Sequence, residues 1–283
     1  MPVDDAVRAF YERSDEAGRL KSSSVEMLRT RELVTAWLPS APAEVLDVGG
    51  GAGIYALWLA GLGYTVDLMD AMPGHVEQAV GASRRAARPL RSAEVGDARS
   101  LPHADGGVDA VLLLGPLYHL IAATDRHKAL TEAWRVLRPG GVVIAAGISR
   151  WASTADGLML GYLGEERFPT IVAADVATGI HRNPDEHPRW FTTAYFHTAE
   201  ELAADVTGAG FEVDGPVAVE GPWPVHPDLL DGAAKQETAL AAIRRLERDP
   251  SVLGGSPHLL VCGRKPGGEE PSGSYPGRNA ELM

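Results

Sequence analysis

The stretch Val45-Leu46-Asp47-Val48-Gly49-Gly50-Gly51-Ala52-Gly53-Ile54-Tyr55-Ala56 decides how this chain is read. It opens as a short apolar run holding one acid, passes through a glycine cluster, and enters a pattern (Leu57, Leu59, Ala60) that suits a helix. Glycine permits positive φ and close approach of a ligand to the backbone. A helix N-terminus adds unpaired N–H groups. Strand, tight turn and helix together predict a cradle for a nucleotide-like ligand.

Working outward, strand and helix patterns alternate from residue 45 to residue 147. Strands are expected at 45–48, 64–69 (closing on Asp70), 90–95, 108–114 and 142–146. Helices are expected at 54–62, ended by Gly63, at 75–87, and at 125–138 with Leu130, Trp134 and Leu137 on one face. Such alternation implies right-handed βαβ units and a parallel sheet. The fourth strand is so apolar that both its faces should be buried. Arg138-Pro139-Gly140-Gly141 reads as a helix stop. Residues 1–40 look helical, with Val34, Trp37 and Leu38 at helical spacing before Pro39.

After 147 the pattern changes. Residues 148–197 hold Gly, Pro, His, Trp and Phe without clear periodicity and read as a lid insertion. Thr198-x-x-Glu201 is a capping box opening a helix. A strand at 211–219, broken near Gly215-Pro216, a helix at 229–248 and a last strand at 258–264 follow. From Pro266 onward the composition predicts a disordered tail. The resulting division is an N-terminal helical cap at 1–40, a main domain at 41–265 and the tail at 266–283.

Composition narrows the class. The chain has 283 residues, 45% hydrophobic and 23% charged, as an ordinary soluble globular protein does. Its net charge of −12 and lack of a Lys/Arg run argue against a nucleic-acid partner. Cys262 is the only cysteine, so an intrachain disulfide and a cysteine-based zinc site are excluded. Asp4 and Asp5 stand where a signal peptide needs positive charge. No apolar stretch approaches membrane-spanning length. A cytoplasmic protein without a membrane partner is expected.

Four features fall where strands end: Asp47 within the first strand, Asp70, Asp97, and Leu114-Gly115-Pro116-Leu117-Tyr118-His119-Leu120 after the fourth. Ligands of open parallel sheets bind beyond the carboxyl ends of the strands, so these groups should line one crevice. A carboxylate at Asp70 can accept both hydroxyls of a ribose, and one at Asp97 can accept from an exocyclic amine. Asp47 is expected to hydrogen-bond the glycine turn rather than the ligand.

With these residues in view, the chain resembles the class I S-adenosylmethionine (SAM)-dependent methyltransferases. The resemblance rests on Val45–Gly53, Asp70, Gly96-Asp97-Ala98, Leu112–Leu120 and Arg135–Gly141, in that order, over about a third of the chain. It implies an α/β fold with a doubly wound, seven-stranded, mostly parallel sheet, Rossmann-like, whose last strand at 258–264 runs antiparallel. It further implies that Gly49, Gly50, Gly51 and Gly53 meet the methionine end of SAM and that Asp70 holds the ribose. Ala71 and Met72 would lie beside the adenine, Asp97 and Ala98 at its edge, and Leu114 and Tyr118 against the cofactor. An arginine of the N-terminal helices, Arg19 or Arg29, could pair with the SAM carboxylate, and Tyr11 lies in the same helices.

The family has no universal catalytic residue, because the sulfonium already activates the methyl group. The protein aligns a nucleophile and excludes water. If a base is needed, His119 is the first candidate, since an imidazole titrates near pH 6.5, and His197 the second. His181, His187 and His197 are spaced 6 and 10 apart, which suits no helical ligand pair, so no metal is expected. They belong to the insertion with Trp151, Trp190, Phe191, Tyr195 and Phe196, which read as lid core. The insertion, residues 220–235 and the N-terminal helices would shape the pocket of a small-molecule acceptor, apolar or aromatic and belonging to secondary metabolism. Two alternatives stand beside this. An NAD-dependent oxidoreductase shares the Gly51-x-Gly53-x-x-Ala56 fingerprint but leaves Asp97 and Arg138–Gly141 unexplained and lacks a Tyr-x-x-x-Lys. A non-catalytic SAM-binding module would share the fold without the chemistry.

Overall fold

A computed structural model describes residues 4–13 and 24–267. Residues 14–23, including Arg19, and the tail beyond 267 lie outside the described residues. Two N-terminal helices, α1 (Asp5–Arg13) and α2 (Val25–Trp37), precede the sheet. Then follow β1 (Glu44–Val48), α3 (Ile54–Leu62), β2 (Thr65–Asp70), α4 (Pro73–Ser83), β3 (Ser92–Val95) and β4 (Val108–Leu113). A single turn, α5 (Pro116–His119), leads to α6 (Ala123–Val136) and the long β5 (Leu137–Ser149). Beyond it lie α7 (Ala152–Met159), α8 (Phe168–Thr178), β6 (Ile180–His181), β7 (Ala194–His197), α9 (Ala199–Gly208), β8 (Glu212–Ala218), α10 (Ala233–Arg244) and β9 (His258–Arg264).

The strands run β3-β2-β1-β4-β5, all parallel, and β9 then packs antiparallel between β5 and β8. This is the seven-stranded, doubly wound sheet, with β9 reversed as expected. Two more strands join it: β7 extends the sheet from the end of β5, pairing Ile148 with Phe196, and β6 pairs with β7.

Successive side chains of a strand point to opposite faces. On β4, Ala110 and Leu112 join one core with Leu33, Val34 and Trp37 of α2 and Ala56 and Leu59 of α3, while Val111 and Leu113 join a second core with Leu130 and Ala133 of α6 and Leu202 and Val206 of α9. Helices thus cover both faces of the central strands. That burial leaves the strand ends, where the chain must leave the sheet, as the place for chemistry.

Three sequence expectations change. First, the inner face of α6 is Ala129, Leu130, Ala133 and Val136. Trp134 is 38% exposed, with the Lys265 ammonium 3.8 Å above its ring, and Leu137 already belongs to β5. Second, β5 starts at Leu137, so Arg138–Gly141 ends the helix but continues as strand. Third, residues 148–197 are ordered into α7, α8, β6 and β7. Their apolar positions meet in small local clusters such as Phe168, Ile171 and Trp190, too short to print a period.

Candidate active site

A cavity of about 410 Å³ opens at the carboxyl ends of β1 to β4. Each loop leaving those strands contributes to its wall: Gly49, Gly50 and Gly51 after β1; Asp70, Ala71 and Met72 after β2; Asp97 and Ala98 after β3; Leu114, Tyr118 and His119 after β4. Helix α1 covers it with Asp4, Val7 and Tyr11. Of the cofactor-binding residues expected from the strand ends, Gly53 does not line the cavity. It sits with φ 85° at the N-terminus of α3 and packs toward Ala79 of α4. Its role is to turn the chain into the helix, a conformation that a residue with a Cβ adopts at a cost.

The first loop is held from below. Gly49 N donates to Met69 O at 2.6 Å, and Gly53 N to Gly50 O at 2.9 Å. Asp47 is buried beneath the turn and accepts from the Ala56 N–H in the first turn of α3. Its Oδ2 has no hydrogen-bond partner among the described residues. Burial, and secondly the nearby charge of Asp70, push its pKa up to about 7, with the Ala56 N–H working the other way. Asp47 therefore supports the helix that follows the turn, and it is absent from the cavity wall.

Asp70 is fixed at both oxygens. Oδ2 accepts from Gly51 N at 2.9 Å, and Oδ1 accepts from Met72 N at 2.8 Å and lies 3.2 Å from His75 Nδ1. Each carboxylate oxygen has two acceptor sites, so these three contacts leave one site, on Oδ2, for a ligand hydroxyl, where the sequence predicts room for both hydroxyls of a ribose. His75, buried in α4, was not foreseen from sequence; only its place in the first turn after Asp70 pointed to it.

Asp97 is engaged more than expected. Arg99 Nε lies 2.9 Å from its Oδ1, and Arg99 Nη2 lies 2.6 Å from its Oδ2. Arg99 Nη1 reaches Asp125 Oδ2 at 2.9 Å. Burial works to raise the Asp97 pKa, and the Arg99 hydrogen bonds more than offset it, holding the carboxyl below its usual range. Arg99 and Asp125 both line the cavity; the Asp-x-Arg spacing is the sequence signal for Arg99, and nothing local points to Asp125.

Both ring nitrogens of His119 are engaged. Its Nε2 lies 2.8 Å from Tyr11 Oη, and its Nδ1 lies 3.3 Å from the carbonyl oxygen of Thr193. Phe191 stacks on its ring at 5.8 Å. The insertion thus reaches the cavity through residues 191–193, while Trp190 and Phe196 pack inside it and Tyr195 lies under Arg126.

Several candidates lie elsewhere. Arg29 is fully buried, donating to Glu32 at 2.6 Å and to the Glu247 carboxylate, so it does not reach the cavity. His197 is fully buried 3.4 Å from Asp205, burial lowers its pKa, and it does not line the cavity. His181 is held by Asp175 and Ser153, and His187 lies 3.6 Å from Glu165. The three histidines thus hold separate partners. Among the described residues Glu26, Glu220 and His258 bring one ligand atom each within 4.8 Å of one another, with Glu220 and His258 paired at 2.5 Å.

The residues fit an adenosyl cofactor bearing an amino-acid tail. A turn of closely approachable backbone lies beside a carboxylate with an acceptor site to spare, in a cavity of small-molecule size.

Comparison with known proteins agrees. The family described as "Methyltransferase domain" matches residues 46–145. The chain is 32% identical over 141 residues to the ubiquinone/menaquinone biosynthesis C-methyltransferase UbiE of Zymomonas mobilis, covering 49% of this chain and 56% of that protein. It is 28% identical over 217 residues to the demethylmenaquinone methyltransferase of Thermus thermophilus, covering 76% of this chain and 94% of that one. The chain spans about half the length of the UbiE relatives it matches. A SAM-dependent methyltransferase from Methanosarcina mazei has the same fold, with a TM-score of 0.57 at 20% identity, covering 83% of this chain and 97% of that one.

Proposed function

We propose that this chain, whose residues 46–145 match the methyltransferase domain family, is a class I SAM-dependent methyltransferase that transfers the methyl group of SAM to a small-molecule acceptor. The observation that carries the proposal is the single cavity in which the glycine turn, Asp70, Asp97 and His119 meet beneath α1. When bound, SAM supplies a methyl group already activated by its sulfonium.

The chain's own residues then have defined tasks. Gly49–Gly51 let the amino-acid end approach the backbone. The anchored Asp70 carboxylate accepts from a ribose hydroxyl at its remaining site. Met72 and Ala71 flank the adenine, and Asp97, kept ionised by Arg99, accepts from its amine. Tyr11, Val7 and Phe191 exclude water from the reacting end, and His119 stands where an acceptor proton would leave. The aromatic rings beside His119 favour a flat acceptor, and the naming of two relatives for quinone biosynthesis supports a ring-bearing one. Residues 41–265 act as the methyltransferase unit, with α1 and 148–197 as its covers. The buried thiol of Cys262 is pushed up to about 12 by burial and takes no part in this chemistry.

Calorimetry with SAM tests this. Asp70→Ala is expected to weaken binding by about 1.5–3 kcal/mol, the worth of hydrogen bonds to a charged group. Unchanged affinity would remove the ribose assignment, and binding of NADH in place of SAM would overturn the whole proposal.

A further inference from the structure

We infer that Tyr11 and His119 form a two-proton relay that is assembled when α1 closes and takes the proton of the acceptor. This rests on the methyltransferase reading above. Tyr11 Oη lies 2.8 Å from His119 Nε2, and His119 Nδ1 lies 3.3 Å from Thr193 O. A carbonyl oxygen only accepts, so Nδ1 carries a hydrogen. In the neutral ring Nε2 is then the acceptor, and the Tyr11 hydroxyl donates to it. The imidazole alone therefore does not present a base to the acceptor; the phenolic oxygen of Tyr11 does.

The step balances. The bond between the acceptor's nucleophilic atom and its hydrogen breaks, and the proton passes to Tyr11 Oη as the Tyr11 proton passes to His119 Nε2. The electron pair left on that atom bonds the methyl carbon, and the pair of the broken carbon–sulfur bond stays on sulfur. Tyr11 is regenerated, and His119 ends as the imidazolium. It returns the proton to solvent when α1 lifts.

Two further contacts make closure and relay one event. Thr192 Oγ1 donates to Ala6 O at 3.0 Å, and Arg13 pairs with Glu186 at 2.8 Å, both joining α1 to the segment that also holds His119. The Tyr11 ring meets the rings of His75 at 5.3 Å and His119 at 5.4 Å, edge to face, which fixes the phenol between them. The titratable and charged groups around the pair are Asp4 just before α1, His75 with Asp70 behind it, and Asp97, Arg99 and Asp125 across the cavity.

The test uses the full chain with S-adenosylhomocysteine, imidazole ¹⁵N labels and tyrosine ¹³Cζ labels. Neutral His119 should show Nδ1 protonated and Nε2 bare. As pH falls through the His119 transition, Tyr11 must change from donor to acceptor, so its Cζ signal should move with the same midpoint. In Tyr11→Phe the Nε2 signal should shift while Nδ1, held by Thr193, stays. A His119 protonated at Nε2 when neutral, or a Tyr11 signal flat through the transition, overturns the relay; the wild-type titration decides even if the variant folds poorly. Calorimetry on the same samples keeps the two readings apart. Absence of S-adenosylhomocysteine binding would count against the methyltransferase assignment, whereas binding with a flat Tyr11 signal would count against the relay alone.

Discussion

The carboxylate of Asp47 lies so close beneath Gly50 that a Cβ at Gly50 would stand 2.7 Å from Asp47 Oδ2. It would also stand 2.9 Å from Leu68 Cδ1. Both neighbours are buried, so neither has room to give way. Gly50→Ala is therefore expected to cost about 1–3 kcal/mol of stability, as overpacking of a filled site does. It should weaken SAM binding as well, because the turn must lift off Asp47. Urea denaturation and calorimetry on the same preparation check both effects, and a variant as stable as wild type would show that the turn is not clamped from below.

Asp47 makes stability depend on pH. Its folded-state pKa is raised from the ordinary 3.8 to about 7. Between those values the native state holds a proton that the unfolded chain has released. Stability from this group therefore falls as pH rises through that window and levels off above it. Asp47→Asn keeps an acceptor for the Ala56 N–H and removes the titration. Denaturation at about pH 5 and about pH 8 should show wild type losing more stability across the interval than the variant. Equal losses would mean that Asp47 is ionised throughout.

Arg29 ties α2 to the residues after α10. It is fully buried against Glu247, whose side chain is 5% exposed. Replacing Arg29 by Met would take this cation away from a buried carboxylate, at an expected cost of about 3–5 kcal/mol. Adding Glu247→Leu should recover most of that loss, since a buried ion pair is often replaceable by apolar groups. Denaturation midpoints of the single and double variants check this. A single variant near wild type would mean that the pair contributes little.

The legible parts of the fold were those whose cause is local. Gly53 and Gly63 bracket α3, and the β9 range matched because its apolar run is bounded by polar residues. The glycine turn, Asp70 and Asp97 were legible because strand ends and acids follow one another at short range. Arg29 was not, because the partner that buries it is 218 residues away. The tie between Tyr11 and His119 spans 108 residues, so each could be named and their meeting could not. Helices α7 and α8 were missed because each buries only two or three side chains in a local cluster. A period needs more turns than that to show.

Arg99 sets the charge of the carboxylate opposite it. Burial alone would raise the Asp97 pKa, and the Arg99 fork brings it below the usual range. With Arg99 present, Asp97 stays ionised across the neutral and mildly acid range, and its capacity to accept from an amine is constant. In Arg99→Ala the burial effect is unopposed by that fork. Asp97 should then take up a proton as pH falls, exchanging an acceptor for a donor. The dissociation constant for S-adenosylhomocysteine, measured at about pH 5 and about pH 8, should rise more steeply on acidification in the variant than in wild type. Other groups of the cavity titrate in both proteins, so the comparison rests on the difference between the two slopes. Parallel slopes would mean that Asp97 keeps its charge without Arg99, and a variant that binds more tightly at about pH 5 would place the adenine amine elsewhere.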